Sequence, residues 1–144
     1  MERQVTVQDK ISEIMSESPL YIEPDATLRE VATMLFKNGV GAVLIEPDSD
    51  AQGIVTERDI VGALAEGADP DEVWSSDVMT SPVITVQSSA PIVEVAEDLV
   101  SYGMRHVVVM ENNQVVGIVS ARDVLEVLAG RLFDLLYRSI PLNA

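Results

Sequence analysis

The chain has 144 residues, with 24 Asp and Glu against nine Lys and Arg, one His and no Cys, for a formal net charge of −15. A chain of this length is expected to form one domain or two small units packed as one, because a ~150-residue domain buries about two-thirds of its unfolded surface. Hydrophobic residues make up 47% of it, which argues against disorder and sends the acids to the outside.

The same arithmetic sets aside several functions. An acidic surface repels phosphate backbones, so no nucleic-acid polymer is expected as a partner. Without Cys there is no disulfide, thiolate nucleophile, zinc knuckle or iron–sulfur ligation, and one His does not build a metal site. No metal ligands are assigned. The first residues, Met1-Glu-Arg-Gln-Val-Thr-Val, lack the pattern of a secretory signal, and no window approaches the ~20 apolar residues of a membrane span, so a cytoplasmic location is expected. Only Lys10 and Lys37 are lysines. An acid-rich, lysine-poor composition fits a protein kept hydrated by carboxylates in concentrated salt, as in halophilic archaea; an ordinary acidic bacterial protein is the alternative.

In chain order, Thr6-Val-Gln-Asp9 reads as a capping box leading into Ile11, Ile14 and Met15. Leu20–Ile22 suits a strand. Thr27-x-x-Glu30 caps a helix whose Leu28, Val31, Ala32, Leu35 and Phe36 form one apolar face, predicted to be core, and Gly39 ends it. Ala42–Glu46 and Gln52–Thr56 form a hairpin around Pro47-Asp48-Ser49-Asp50, a solvated turn without the pattern of a calcium loop. Gly39-Val-Gly41 follows a helix and is no dinucleotide-binding loop. A second helix opens at Thr56 with Ile60, Val61 and Leu64. Glu66–Glu72 is an acidic, Pro-broken linker, followed by a short helix at about Asp71–Met79 in which Trp74 is a core or interface anchor.

From Met79 onward the chain repeats itself. At an offset of 64 residues Met15–Leu64 falls on Met79–Leu128 without a gap, and 14 of those 50 positions are identical. Ile84–Val86 repeats the strand. Ile92, Val95, Ala96, Leu99 and Val100 repeat the helix face behind Pro91, and Gly103 ends that helix. Val107–Met110 and Val115–Ser120 repeat the hairpin around Glu111–Gln114, and a helix opening at Ser120 carries Val124, Leu125 and Leu128. The predicted organisation is therefore residues 1–65 as the first repeat with its lead-in, 66–72 as linker, 73–130 as the second repeat and 131–144 as a helical tail. The fold class is α/β (α+β), two β-α-β-β-α units.

Each copy ends in Gly-Ile-Val-(Thr/Ser)-x-Arg-Asp, at Gly53–Asp59 and Gly117–Asp123. By themselves Thr56-x-x-Asp59 and Ser120-x-x-Asp123 are also ordinary capping boxes. A gapless tandem of β-α-β-β-α units bearing this ending resembles the cystathionine-β-synthase-type (CBS) domain pair, or Bateman module. The resemblance covers Ile11 to about Leu128. It implies two pseudo-twofold-related repeats with sheets face to face, and clefts that take an adenosyl ligand such as AMP, ADP, ATP or S-adenosylmethionine.

Carried onto this sequence, the resemblance makes Asp59 and Asp123 the ribose ligands and Thr56 and Ser120 the hydroxyls facing phosphate or ribose. Arg58 and Arg122 become phosphate neighbours. Adenine walls come from Pro19, Leu20 and Ile54, and from Val83, Ile84 and Ile118. A carboxylate can accept both hydroxyls of a ribose diol, and a helix N-terminus favours an anion. The copies differ in charge, since Arg105-His106 stands where the first copy has Gly41-Ala42. The resemblance pairs Arg105 and His106 with Asp59 as the better-equipped cleft and leaves the Asp123 cleft to a weakly charged ligand or none.

No catalytic constellation is visible, so an enzyme is not expected. The expected function is a regulatory module for an adenosyl ligand, with no resident cofactor, acting on a separate protein; the alternative is a ligand-free scaffolding or dimerisation module. Leu132, Phe133, Leu135, Leu136 and Tyr137 extend the last helix with a broad apolar face, which either packs on the core or meets a partner. The resemblance implies that this partner is a second copy, in a homodimer.

Overall fold

The computed structural model describes residues 4–46, 53–133 and 135–136. Each copy forms a three-stranded sheet flanked by helices. In the first, β1 (Tyr21–Ile22) pairs in parallel with β2 (Ala42–Ile45), which pairs antiparallel with β3 (Ile54–Thr56). In the second, β4 (Thr85–Gln87), β5 (His106–Glu111) and β6 (Gln114–Ser120) repeat that order. The parallel partners are joined by α1 (Leu28–Asn38) and α4 (Ile92–Tyr102), and each sheet is followed by a closing helix, α2 (Glu57–Ala65) and α5 (Ala121–Phe133).

The local reasons are those of the sequence. Thr27 accepts a bond from the Glu30 N–H while Glu30 returns one to the Thr27 N–H, which satisfies two donors that a helix start leaves open. Both α1 and α4 end on a glycine with φ near +60°, Gly39 and Gly103, a conformation that costs a side-chain-bearing residue about 1 kcal/mol or more. Asn112 and Asn113 take φ of 51° and 62° in the β5–β6 turn, the mirror-image geometry that matches the twist of a tight hairpin. The corresponding turn at residues 47–50, with Asp48, Ser49 and Asp50, lies outside the described residues.

Three apolar clusters hold the molecule together. One belongs to each copy: Val31, Leu35, Val43, Ile45 and Val55 in the first, Val95, Leu99, Val107, Val109 and Val119 in the second. The third joins the two sheets face to face, with Ala42, Leu44 and Ile54 against Val108, flanked by Tyr21, Val83, Met110, Val115 and Ile118. Alternation along the strands explains the division: Val43 and Ile45 face their own helices, while Ala42 and Leu44 face the other sheet.

The lead-in segments cross. Ile11 is fully buried in the core of the second copy, and its N–H donates to the Ala90 carbonyl at 2.7 Å. The lead-in of the second copy does the reverse: the Ser75 N–H donates to the Ala26 carbonyl at 2.7 Å, and Val78 and Met79 pack on the first core. Ser16 bridges Ile118, and Thr80 bridges Ile54. Two glycines make this possible. A Cβ on Gly117 would stand 2.6 Å from Met15 Sδ and 2.8 Å from the Ser16 carbonyl oxygen, and a Cβ on Gly53 would collide with Met79.

Several expectations are corrected. Phe36 and Val100, the last members of the two apolar helix faces, point outward at 87% and 83% exposure. They lie one residue past the stripe that the sheet can cover, so Leu28, Val31 and Leu35, with Ile92, Val95 and Leu99, are the buried set. The helix expected at about 71–79 is only α3 (Ser75–Val78), and the lead-in to the first copy is a single 3-10 turn, Ile11–Glu13. Both segments add backbone bonds to the other copy to a single turn of helical ones. Trp74 is half-exposed rather than core, and its N–H donates to Asp77. Linker residue Asp71 receives Arg29 through Nε at 2.6 Å and Nη2 at 3.1 Å, and the Arg29 N–H donates to the Pro70 carbonyl, which ties the linker to the start of α1. In the tail, Leu132, Phe133, Leu135 and Leu136 are all exposed, while Tyr137 lies outside the described residues.

Candidate ligand-binding site

The two Gly-Ile-Val endings deliver the same arrangement twice. At the start of α2 the Thr56 N–H donates to Asp59 Oδ2 at 2.9 Å, the Thr56 hydroxyl to the same oxygen at 3.1 Å, and the Asp59 N–H to Thr56 Oγ1 at 3.3 Å. At the start of α5 the Ser120 N–H donates to Asp123 Oδ2 at 2.8 Å and the Asp123 N–H to Ser120 Oγ at 3.1 Å. Each carboxylate is half-buried and spends Oδ2 on its own cap, while no hydrogen bond among the described residues engages Oδ1. Each is thus a fixed acceptor at a positive helix end, with one oxygen open.

Arg58 and Arg122 are exposed on these helices; Arg122 Nε lies 3.8 Å from Glu126, a solvent-facing pair of little energetic weight. The apolar wall residues regroup because the lead-ins cross. Ile54 bridges Thr80, three residues before Val83, and both Ile54 and Val83 belong to the inter-sheet cluster. Ile118 bridges Ser16, three residues before Pro19. Walls read copy by copy are thereby exchanged: Ile54 shares a surface with the Val83 segment, Ile118 with the Pro19 segment. Leu20 packs on the first core while its carbonyl accepts from the Leu44 N–H, and Ile84 is exposed.

His106 opens β5, and its ring rests on Gly41 of the other copy: Cε1 and Nε2 lie 3.1 and 3.2 Å from where a Gly41 Cβ would be, with Glu57 Oε1 3.4 Å from the same point. Its Nδ1 is buried and has no hydrogen-bond partner among the described residues. Burial pushes the imidazole below its ordinary pKa, against the opposing pull of the Glu57 and Asp123 carboxylates, with Arg105 adding to the depression. Arg105 is itself exposed, and its carbonyl receives the Ala121 N–H at the head of α5, as the Gly41 carbonyl receives the Glu57 N–H at the head of α2.

A cavity of about 390 Å³ opens between the first lead-in and α5, lined by Gln4, Val5, Ile14, Asp123, Glu126, Val127 and Gly130. It joins two carboxylates to an apolar floor, and no basic side chain is among the described residues that line it. Among the described residues no group of three or more His, Cys, Asp and Glu could hold a metal ion, and no helix is long and apolar enough to cross a membrane.

The CBS domain family model matches residues 11–66 and 75–130. The chain belongs to the CBS domain family. Its two sheets and flanking helices form the CBS pair, or Bateman module. The Methanopyrus kandleri protein MK0525 is 34% identical over 120 residues, 81% of this chain and 61% of that one, so this CBS pair spans about three-fifths of that relative. The Pyrobaculum aerophilum CBS domain protein PAE2072, solved in complex with AMP, aligns with a TM-score of 0.73 and 34% identity, over 83% of this chain and 98% of that one. The CBS pair of protein MJ0100, solved in complex with 5′-methylthioadenosine and S-adenosylmethionine, aligns with a TM-score of 0.76 and 27% identity, over 85% and 97%.

Reading the CBS pair from sequence missed two participants. One is Glu57, which faces His106 across the copies; its counterpart in the repeat alignment is Ala121, an unlike pair that could have flagged it. The other is the Thr80 and Ser16 backbone, which leaves no signal in residue identity.

Proposed function

We propose that this CBS pair is a regulatory module that binds an adenosyl ligand in clefts between its two copies and signals its occupancy to a separate protein. The observation that carries this reading is the duplicated cap: Asp59 and Asp123, each fixed at a helix N-terminus with Oδ1 open, each beside an apolar segment contributed by a crossed lead-in. Oδ1 is positioned to accept from a ribose diol, while Thr56, Ser120 and the helix ends favour phosphate or ribose oxygens. PAE2072 and MJ0100, bound to AMP and to methylthioadenosine and S-adenosylmethionine, support adenosyl ligands as the class. Arg58, Arg105 and His106 favour an anionic ligand at the Asp59 cleft. Asp123 and Glu126, in a cavity with no basic side chain among the described residues that line it, favour a neutral or cationic one.

Titration of the purified protein with AMP, ATP and S-adenosylmethionine by calorimetry tests the reading. Binding below about millimolar is expected, and no binding by any of them overturns it. Occupancy would act by stabilising one packing of the copies over another, so that the ligand alters affinity for the target by its differential binding. The role is regulatory rather than catalytic, and the location cytoplasmic. The carboxylate-rich surface reads as an adaptation to concentrated salt, in which nucleotide affinity should hold, since repulsion is screened within a few ångströms at ~1 M.

A second reading has its own observation. Val61 and Leu64 on α2, with Leu125, Leu128, Leu132 and Phe133 on α5, are exposed apolar residues on the two closing helices. They favour a homodimer, and a scaffolding or dimerisation module if no ligand binds. Truncation after Gly130 should lower the dimer fraction in light scattering; an unchanged mass removes the tail from the interface.

A further inference from the structure

Three of the differences between the copies fall at one point of the fold. Gly41, Ala42 and Glu57 in the first copy stand opposite Arg105, His106 and Ala121 in the second, and His106 and Glu57 meet over the bare Gly41 backbone. The ring occupies the space that a side chain at position 41 would need, and its Nδ1 is shut away from solvent without a partner among the described residues. The charges facing it are Glu57 from α2, Asp123 from α5 and Arg105, the residue just before its own strand; Gly41 and Ala42 add none. The first acid belongs to the helix of the Asp59 cap, the second to the other cap. His106 therefore stands between both candidate clefts.

In this setting burial outweighs the two carboxylates, so the resting imidazole is neutral near pH 7. A phosphate brought to the head of α2 changes the balance. It adds up to about two negative charges beside Glu57, which already repels them; Arg58 and Arg105 are exposed to solvent, and a protonated imidazole is the buried group at hand to add to their offset. A ligand with the same adenosine but no phosphate leaves the balance as it was.

We propose that His106 sorts adenosyl ligands by charge, taking up a proton when a phosphate-bearing ligand binds and staying neutral when the ligand carries no phosphate. This rests on the adenosyl-binding reading above. The proton comes from solvent, so binding of the anion is linked to pH: affinity rises as pH falls, by at most tenfold per unit for one proton.

The test compares AMP with 5′-methylthioadenosine by calorimetry at about pH 7 and about pH 8, where the AMP phosphate, with a second pKa of about 6, stays largely dianionic. Each titration is run in buffers of low and high ionisation enthalpy. AMP should bind about three- to tenfold more tightly at the lower pH, with a heat that depends on the buffer, while methylthioadenosine shows neither effect. H106Q should lose both the slope and the buffer dependence for AMP. AMP affinity that ignores pH, a slope shared by methylthioadenosine, or a slope retained in H106Q overturns the proposal. Should circular dichroism show H106Q unfolded, the buffer dependence in the unaltered protein decides alone. Failure of both ligands to bind overturns the adenosyl reading and this proposal with it, whereas binding without proton uptake overturns only this one.

Discussion

The two copies share a backbone and differ in what they hang on it. Ile11 and Ser75 occupy equivalent buried positions in the crossed lead-ins, yet one is a hydrocarbon and the other a hydroxyl that donates to the Glu23 carbonyl at 2.7 Å. Thr27 caps α1 through its side chain, whereas Pro91 starts α4 with a fixed φ of −63° and no side-chain bond. These swaps are neutral to the fold because the ladder bonds between lead-in and copy run through backbone. The swaps at Gly41/Arg105, Ala42/His106 and Glu57/Ala121 are of another kind: two change formal charge, the third introduces the chain's one titratable imidazole, and they gather at one place. The comparison teaches that architecture tolerates divergence wherever the main chain carries the contact, while these three differences alter the chemistry beside the candidate clefts.

The hardest way to break the equivalence is in the cores. Leu28 and Ile92 are both fully buried at the same position of their helices, and Leu28→Ala and Ile92→Ala should each cost about 2–5 kcal/mol in denaturant unfolding. Two resolved transitions, each shifted by one substitution alone, would mean that the copies unfold separately.

Next comes the ligand: Asp59→Ala should weaken AMP binding by about 10- to 100-fold, the worth of a charged hydrogen bond of ~1.5–3 kcal/mol, and by more than Asp123→Ala does. An equal or larger effect of Asp123→Ala reverses the assignment of the clefts.

The glycines under the lead-ins sharpen the structural half. Gly117→Ala meets both Met15 and the Ser16 carbonyl, which cannot move freely, while the three atoms nearest a Cβ at Gly53 all belong to the side chain of Met79. About 1–3 kcal/mol of overpacking is expected for Gly117→Ala, and less for Gly53→Ala, by thermal melting.

The smallest effect is the pH dependence of stability without ligand. Burial holds His106 below its ordinary value of 6.5 in the folded chain, so the unfolded chain takes up a proton that the folded one refuses. Stability should therefore fall as pH drops through about 6.5 and level off below the folded-state pKa, and His106→Gln should flatten that part of the curve.

Much of the fold was legible because duplication lets the chain check itself. The helix faces, both glycine stops, both hairpins and both aspartate caps follow from period and spacing that occur twice. Phe36 and Val100 were misread for a simple reason: a 3.6-residue period marks a stripe, and only the curvature of the sheet beneath decides how wide a stripe is covered. The crossing of the lead-ins was hidden for a deeper reason. Thr80 and Ser16 act through N–H and carbonyl groups, which every residue has, so neither copy's sequence states which sheet its lead-in joins. The regrouping of Pro19, Ile54, Val83 and Ile118 follows from that crossing and was equally invisible.

The crossing also bears on ancestry. Each copy's lead-in is a strap laid over the core of the other. Two such halves would satisfy one another by reciprocal exchange, each donating its strap to the other. The present chain has the connectivity of a domain-swapped dimer whose halves have been fused through an acidic tether, which replaces a concentration-dependent assembly by an intramolecular one.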